Sequence, residues 1–128
     1  MSAQEDDVRV LFVEDDPSVA QMYKLKLELD GYRVEVAVDG EAAIQTATAA
    51  PPDIIFLDIR LPKLDGLAVL GTLRQDARTQ HVPVVILSNY SEKDLVERGL
   101  KLGALEYLIK SQTTPAKLAG GVENWLKG

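Results

Sequence analysis

Short apolar runs alternate with longer amphipathic segments along the whole chain. Five of the short runs are predicted to be strands: "VRVLFV" (8–13), "YRVEVAV" (32–38), "DIIFLDI" (53–59), "VPVVILS" (82–88) and "EYLIK" (106–110). The runs at 8–13, 54–57 and 84–87 are almost continuously apolar. That pattern is typical of strands buried on both faces, as in a parallel sheet.

The segment after the first strand has strong helix signals but an ambiguous interior. Asp16-Pro17 favours a helix start, because Asp can cap and Pro suits the first helical position, and Gly31 favours a stop. "YKLKLEL" (23–29) alternates with period two, as a strand does. It competes with a helical apolar set, which is Val19, Met22, Leu25 and Leu29. The end signals decide for a helix, with Asp16 as its solvent-facing cap.

Four further helices are predicted at 40–50, 65–77, 91–103 and 113–128. Pro51-Pro52 ends the first of them. Ser91 is predicted to cap the third, with Asp94 in capping-box spacing. Gly120-Gly121 predicts a locally soft last helix, since each glycine costs about 1 kcal/mol relative to alanine. We expect Trp125 to pack this helix onto the sheet.

The β-α unit occurs five times, which predicts an α/β fold: a doubly wound parallel sheet with helices on both faces. The crossovers should be right-handed, and functional residues should lie at the carboxyl ends of the strands. A length of 128 residues, 46% of them hydrophobic, suits one globular domain. We find no sequence repeat, linker or low-complexity segment.

Composition excludes several classes of site. The chain has no cysteine, so it can form neither disulfides nor thiolate metal sites. It has one histidine, His81, which we expect in a loop, so a three-histidine metal site is impossible. A net charge of -6 argues against a broad nucleic-acid interface. The polar start "MSAQEDD" is unlike a signal peptide, and no apolar run approaches the roughly 20 residues of a membrane span.

Chemically useful side chains end the predicted central strands. Glu14-Asp15 follows the first strand and Asp58 ends the third, while Ser88 and Lys110 end the fourth and fifth. The three acids and one lysine leave two formal negative charges, which a hard divalent cation such as Mg²⁺ would neutralise. A metal beside Asp58, with Lys110 and Ser88, could hold a transferring phosphoryl group. Carboxylates also act as nucleophiles that form aspartyl-phosphate.

With these residues in place, the sequence resembles the receiver domain of bacterial two-component response regulators, of the chemotaxis-regulator type. Four pieces in register carry the resemblance: "VEDDP" (13–17), "DIIFLDIRLPKLDG" (53–66), "VVILSN" (84–89) and "GALEYLIK" (103–110). The resemblance implies a flavodoxin-like (βα)5 fold with strand order 2-1-3-4-5. It also implies one receiver domain over residues 1–128, with a core at about 7–127.

The resemblance assigns the acidic residues. Asp58 is implied to be the phosphoacceptor, and Asp15 and Asp58 are implied to be direct Mg²⁺ ligands. Glu14 would assist through water, and the backbone carbonyl of Arg60 would be a further ligand.

The resemblance also assigns the switch. Ser88 is implied to be the switch hydroxyl, Lys110 the lysine that contacts the phosphate, and Tyr107 the aromatic residue that moves inward on activation. The Asp65-Gly66 turn would shape the loop after the acceptor.

The implied function is a phosphorelay switch. A sensor histidine kinase or a phosphotransfer protein would donate a phosphoryl group from phosphohistidine, and a downstream protein would read the changed surface. The resemblance implies a cytoplasmic chain that is a monomer or a weak phosphorylation-linked dimer. It implies neither a nucleic-acid nor a membrane partner, and no catalysis beyond the chain's own phosphorylation and dephosphorylation.

Three departures from the family pattern carry predictions. Asn89 stands where a small residue is usual and would crowd the site. Ser111 stands where the family has a proline after a cis bond, so we predict a trans Lys110–Ser111 peptide. The bulky Arg60 and Tyr90 lie two residues beyond Asp58 and Ser88, and we predict that they shield the phosphoryl group from water.

Two other functions are weighed. A phosphohydrolase of the haloacid dehalogenase type would also use a nucleophilic Asp, but it needs a second Asp where Arg60 stands. A pseudo-receiver, held in one state as a binding module, is the remaining alternative, because Asn89 and Ser111 depart from the pattern.

Overall fold

The computed structural model describes residues 7–127, which excludes most of the polar N-terminal stretch and Gly128. It has five strands: β1 (Arg9–Val13), β2 (Arg33–Ala37), β3 (Ile54–Leu57), β4 (Val84–Ser88) and β5 (Glu106–Ile109). It has five α-helices: α1 (Pro17–Leu29), α2 (Gly40–Ala49), α3 (Gly66–Gln75), α4 (Lys93–Lys101) and α5 (Pro115–Lys127).

All strand pairs are parallel, in the order β2-β1-β3-β4-β5. This is the doubly wound, flavodoxin-like arrangement that was predicted. The order reverses direction at β1, which lies between β2 and β3. Ligands of such folds bind beyond the carboxyl ends of the strands at that reversal.

The central strands are buried on both faces because both faces of the sheet carry helices. Every residue of Ile54–Leu57 and Val84–Ser88 is buried, as is Val10–Val13 in β1. Alternate residues of a strand feed two separate cores. Leu11, Ile55 and Leu57 belong to one core, and Phe12 and Phe56 belong to the other. The continuous apolar runs of the sequence are therefore confirmed as interior strands.

Helix α1 begins and ends as predicted, but its buried face is not the helical apolar set of the sequence. Asp16 caps it, with the carboxylate accepting hydrogen bonds from the backbone N–H groups of Ser18 and Val19. The residues that face the core are Ala20, Tyr23 and Leu27. Three of the four residues in the helical apolar set are exposed: Met22, Leu25 and Leu29. The helix has two apolar stripes, and the one that carries Tyr23 is buried because it packs against β1.

The predicted cap of α4 is also wrong. The helix begins at Lys93, and Glu92 occupies the cap position without a side-chain hydrogen bond. Ser91 lies one residue too early, since a capping side chain must stand directly before the first helical residue. Asp94 instead lies 3.8 Å from Arg98 in an i,i+4 ion pair.

Helix α5 runs without a break through Gly120 and Gly121, and its predicted softness stays a prediction. Trp125 packs edge-on against Phe56, with ring centroids 5.7 Å apart, which confirms its predicted position on the sheet. The predicted fifth strand is one residue too long, because Lys110 begins a short 3-10 turn, Lys110–Gln112. His81 lies exposed in the turn before β4, as expected.

Within residues 7–127, none of the helices combines the length and the apolar character needed to cross a bilayer.

Candidate functional site

Three carboxylates converge at the carboxyl edge of the sheet. Glu14 and Asp15 follow β1, and Asp58 follows β3, which pairs with β1. One carboxylate oxygen from each residue lies within 4.8 Å of those of the other two. Together with Lys110 and Arg60 they line an open cleft of about 320 Å³. The predicted acidic cluster is therefore present in the fold.

Glu14 is the most deeply buried of the three acids, at 2% exposure. One oxygen, Oε2, accepts a hydrogen bond of 3.1 Å from the backbone N–H of Asp16. The other, Oε1, lies 2.5 Å from Lys110 Nζ in a buried ion pair. Burial raises the pKa of Glu14, and the nearby Lys110 only partly offsets this effect. Glu14 Oε1 is therefore paired with Lys110, and its remaining lone pair could accept a hydrogen bond from a metal-bound water.

Asp58 is 6% exposed and has both oxygens occupied. Oδ2 accepts a hydrogen bond of 2.8 Å from Lys110 Nζ, and Oδ1 accepts one of 2.7 Å from the backbone N–H of Ile59. These two donors fix the carboxylate at the floor of the cleft. The partial neutralisation by Lys110 helps this buried site to tolerate the charge of Asp58.

The loop after Asp58 has to pass very close to it. A Cβ atom on Gly66 would lie 2.1 Å from the backbone oxygen of Asp58. Asp65, the preceding residue, caps α3 by accepting a hydrogen bond of 3.0 Å from the N–H of Ala68. Glycine is thus required at position 66 by the space available.

Lys110 is the cation of the site, and it contacts two acids at once. Burial by itself would lower the pKa of Lys110, but the hydrogen bonds and charges of Asp58 and Glu14 outweigh it and raise that pKa. The ammonium group is therefore held in its charged form. Among the described residues no cis peptide occurs, so the Lys110–Ser111 bond is trans, as predicted.

The donor set fits a hard divalent cation. It consists of carboxylate oxygens only, and its three formal negative charges exceed the single charge of Lys110 by two. Few protein oxygens beside open space suit Mg²⁺, which keeps several waters when it binds. Asp15 is exposed to the cleft and is free to take a ligand position.

Ser88 and Tyr107 are joined through the backbone of Tyr90. Ser88 Oγ, fully buried, accepts a hydrogen bond of 3.1 Å from the N–H of Tyr90. The Tyr107 hydroxyl donates to the carbonyl oxygen of Tyr90. Tyr107 also lies beneath α4, because a Cβ on Gly99 would be 3.4 Å from its ring. The loop after β4 therefore connects the Ser88 hydroxyl to Tyr107, which packs against α4.

The side chains of Arg60 and Tyr90 stack at the mouth of the cleft. The guanidinium carbon of Arg60 lies 4.3 Å from the centroid of the Tyr90 ring, in cation–π geometry. The sequence placed both residues near the site but did not reveal their contact. The signal for it was present, since each lies two residues beyond a residue of the site, Asp58 or Ser88.

Comparisons with known proteins agree with this geometry. The sequence model of the response regulator receiver domain family matches residues 10–120. The transcriptional regulatory protein PrrA of Mycobacterium tuberculosis is 45% identical over 102 residues, which are 80% of this chain and 43% of PrrA. The chain therefore spans less than half the length of such curated relatives.

Two solved structures are similar over nearly the whole chain. The Francisella response regulator 1452 receiver domain has a TM-score of 0.85 and 33% identity, and the match covers 94% of this chain and 98% of that one. The receiver domain of the sensor histidine kinase PA1611 from Pseudomonas aeruginosa has a TM-score of 0.86 and 30% identity, with 95% and 99% covered. The latter structure contains a magnesium ion coordinated in its active-site cleft.

Proposed function

This chain belongs to the response regulator receiver domain family, and we therefore propose that Asp58 is the residue that accepts its phosphoryl group. The observation that carries the proposal is the environment of Asp58. It is a buried carboxylate at the floor of an open cleft, with Lys110 Nζ 2.8 Å from Oδ2. A receiver needs one carboxylate that is fixed in place and reachable from outside, beside a permanent cation.

The proposed reaction is a transfer between side chains. A carboxylate oxygen of Asp58 attacks the phosphorus of a partner's phosphohistidine, so that an O–P bond forms and the N–P bond breaks. The imidazole leaves with the electron pair of the N–P bond and is protonated. The donor is a sensor histidine kinase or a phosphotransfer protein, and hydrolysis of the acyl phosphate later restores Asp58.

Lys110 has the electrostatic role in this proposal. Its ammonium group already contacts Asp58, so it can also contact the phosphoryl oxygens and stabilise their negative charge. Its raised pKa keeps it charged throughout, because the two acids favour its protonated form.

We assign the Mg²⁺ site to the acidic cluster. Asp15, Asp58 and the backbone carbonyl of Arg60 would hold the ion, and Glu14 would assist through water. When bound, the ion neutralises charge on the phosphoryl oxygens and on the acids around them. Support comes from the all-oxygen donor set and from the excess of negative charge over Lys110.

The proposed switch uses Ser88 and Tyr107. A phosphoryl group on Asp58 attracts the Ser88 hydroxyl, which then gives up its hydrogen bond with Tyr90. Tyr107 bonds the same residue and packs under α4, so its side chain moves with that loop. The surface formed by α4, β5 and α5 then differs between two states, and a partner that prefers one of them responds.

The remaining assignments belong to the same proposal. The chain acts as a phosphoacceptor switch on a downstream protein, as a monomer or a weak phosphorylation-linked dimer in the cytoplasm. It catalyses only its own phosphorylation and dephosphorylation, without a nucleic-acid or membrane partner. We propose that residues 1–128 form one receiver domain with its core at about 7–127.

A beryllofluoride titration monitored by NMR tests this function. With Mg²⁺ present, the phosphoryl mimic should shift the backbone signals of residues around Asp58, Ser88 and Tyr107. The Asp58→Asn variant should show no such shifts, because beryllofluoride needs the carboxylate oxygen. A wild-type chain without any response would instead be a pseudo-receiver.

A further inference from the structure

Lys110 follows the edge strand of the sheet. Within residues 7–127, β5 pairs only with β4, whereas β1 and β3, which carry the acids of the site, each have a strand on both sides. An edge strand is held on one side only, so it constrains the residue beyond it less firmly than a central strand does. The position of Lys110 therefore depends on contacts made by the chain that follows it.

Thr113 makes those contacts. Its backbone N–H donates a hydrogen bond of 3.1 Å to the carbonyl of Lys110, and its hydroxyl donates one of 2.8 Å to the carbonyl of Ile109. Thr113 is 8% exposed, so both bonds are largely protected from water. Thr113 thus binds the backbone carbonyl groups before and after the Lys110 Cα atom.

Tyr23 connects this turn to the centre of the sheet. It lies on α1 with 2% exposure, and its hydroxyl donates a hydrogen bond of 2.5 Å to the carbonyl of Thr113. Its ring stacks on Phe12 of β1, with centroids 5.2 Å apart and planes at 22°. Phe12 lies two residues before Glu14, so Tyr23 links the Lys110 turn to the strand that carries two of the acids.

A phenylalanine at position 23 would stack on Phe12 in the same way, so the stacking does not need the Tyr23 hydroxyl. What it adds is the bond to Thr113, across 90 residues of sequence. We propose that Tyr23 and Thr113 are positioning residues for Lys110, which hold its turn so that the ammonium group reaches the phosphoryl group on Asp58. This inference rests on the proposed phosphoacceptor function.

Two equilibria test the proposal, with matched substitutions. We would measure the dissociation constant of Mg²⁺ alone and that of beryllofluoride at saturating Mg²⁺. Tyr23→Phe and Thr113→Val should each weaken beryllofluoride about three- to tenfold, the effect expected from one lost buried hydrogen bond. Neither should weaken Mg²⁺, because Lys110 is not a metal ligand. Thr113→Ser keeps the hydroxyl and should restore the affinity for beryllofluoride.

The control is Tyr32→Phe, which removes a partly buried hydroxyl beside β2 at the other edge of the sheet. It should leave both constants unchanged. Unchanged beryllofluoride affinity in Tyr23→Phe would overturn the positioning role, as would an equal loss of Mg²⁺ and beryllofluoride binding, since that pattern indicates general loosening. If the wild-type chain itself fails to bind beryllofluoride, the phosphoacceptor function fails first and the positioning role with it.

Discussion

At the scale of single residues, the acidic run Glu14-Asp15-Asp16 has a division of labour. Glu14 is buried and pairs with Lys110, while Asp15 is exposed at the cleft. Asp16 has its carboxylate turned to the start of α1, where it caps two N–H groups. Adjacent like charges are tolerable here because Lys110 compensates Glu14, the N–H groups of α1 compensate Asp16, and Asp15 is exposed.

Substitution of Asp15 and Asp16 separates those roles. Asp15→Asn should abolish Mg²⁺-dependent phosphorylation by acetyl phosphate, since it removes a proposed metal ligand. Asp16→Asn should leave phosphorylation nearly intact, because asparagine is an equally good helix cap. Radiolabel incorporation measures both, and equal losses in the two variants would contradict the assignment.

Lys110 and Glu14 predict a pH dependence of stability. In a Lys110→Met variant without Mg²⁺, the buried carboxylates of Glu14 and Asp58 both lose their cation, and we expect a destabilisation of roughly 3–5 kcal/mol at pH 7. The folded-state pKa of Glu14 is raised by burial, so the folded state retains a proton that the unfolded chain releases. Stability of the variant therefore falls as pH rises from 5 to 7. Urea unfolding at both pH values measures it, and an equal loss at both would refute this account.

The stacked pair Arg60 and Tyr90 predicts a slow loss of phosphate. Its position at the mouth of the cleft supports the shielding expected from the sequence, which stays a prediction. In an Arg60→Ala, Tyr90→Ala double variant, water reaches the acyl phosphate more easily, and dephosphorylation should accelerate several-fold. Tyr90→Phe keeps the ring and serves as the control. A double variant that releases phosphate at the wild-type rate would argue against shielding.

At the scale of elements, two glycines on α3 differ in the space around them. Gly66 lies against the backbone of Asp58, whereas Gly71 has open space beside it. Gly66→Ala would place a Cβ 2.1 Å from the backbone oxygen of Asp58, so the loop after β3 must move. We expect a loss of at least about 2 kcal/mol in the free energy of unfolding, together with weaker phosphorylation. The measurements are denaturant unfolding and phosphate incorporation.

The matched control lies on the same helix. A Cβ on Gly71 would meet nothing within 4 Å, so Gly71→Ala should raise the free energy of unfolding by roughly 0.5–1 kcal/mol. If both variants lost stability equally, the cause would be a general effect of alanine in α3, not the approach to Asp58.

The elements also show what a single sequence can predict. The strands were predictable because Ile54–Leu57 and Val84–Leu87 are almost purely apolar, and nothing competes with that pattern. The buried face of α1 was not, because Met22, Leu25 and Leu29 form as regular an apolar stripe as Tyr23 and Leu27 do. Which stripe is buried depends on packing against β1, a contact between distant parts of the chain.

At the scale of the whole molecule, the topology brings the site together. Glu14, Asp58 and Lys110 are far apart in sequence, and only the strand order places their strand ends along one edge. The sequence predicted this convergence through the β-α alternation and the rule for carboxyl ends. It did not predict the hydrogen bonds that connect Tyr23, through Thr113, to the Lys110 turn. In the sequence, Tyr23 belongs to a run that alternates with period two.

The same scale bounds the biological role. The chain matches less than half the length of regulators such as PrrA, so the activity of such whole proteins does not follow from this receiver. In the proposed switch, a phosphoryl group on Asp58 connects the cleft at the strand ends with the surface of α4, β5 and α5.

The central claim is that Asp58 is the phosphoacceptor, and intact-mass measurement after incubation with acetyl phosphate and Mg²⁺ tests it most directly. The wild-type chain should gain the mass of one phosphoryl group, and Asp58→Asn should gain none. Asp65→Asn, in the same loop and at a cap that asparagine also serves, should gain it as the wild type does. Phosphorylation that persists in Asp58→Asn, or a wild-type chain that stays unmodified, would contradict the claim.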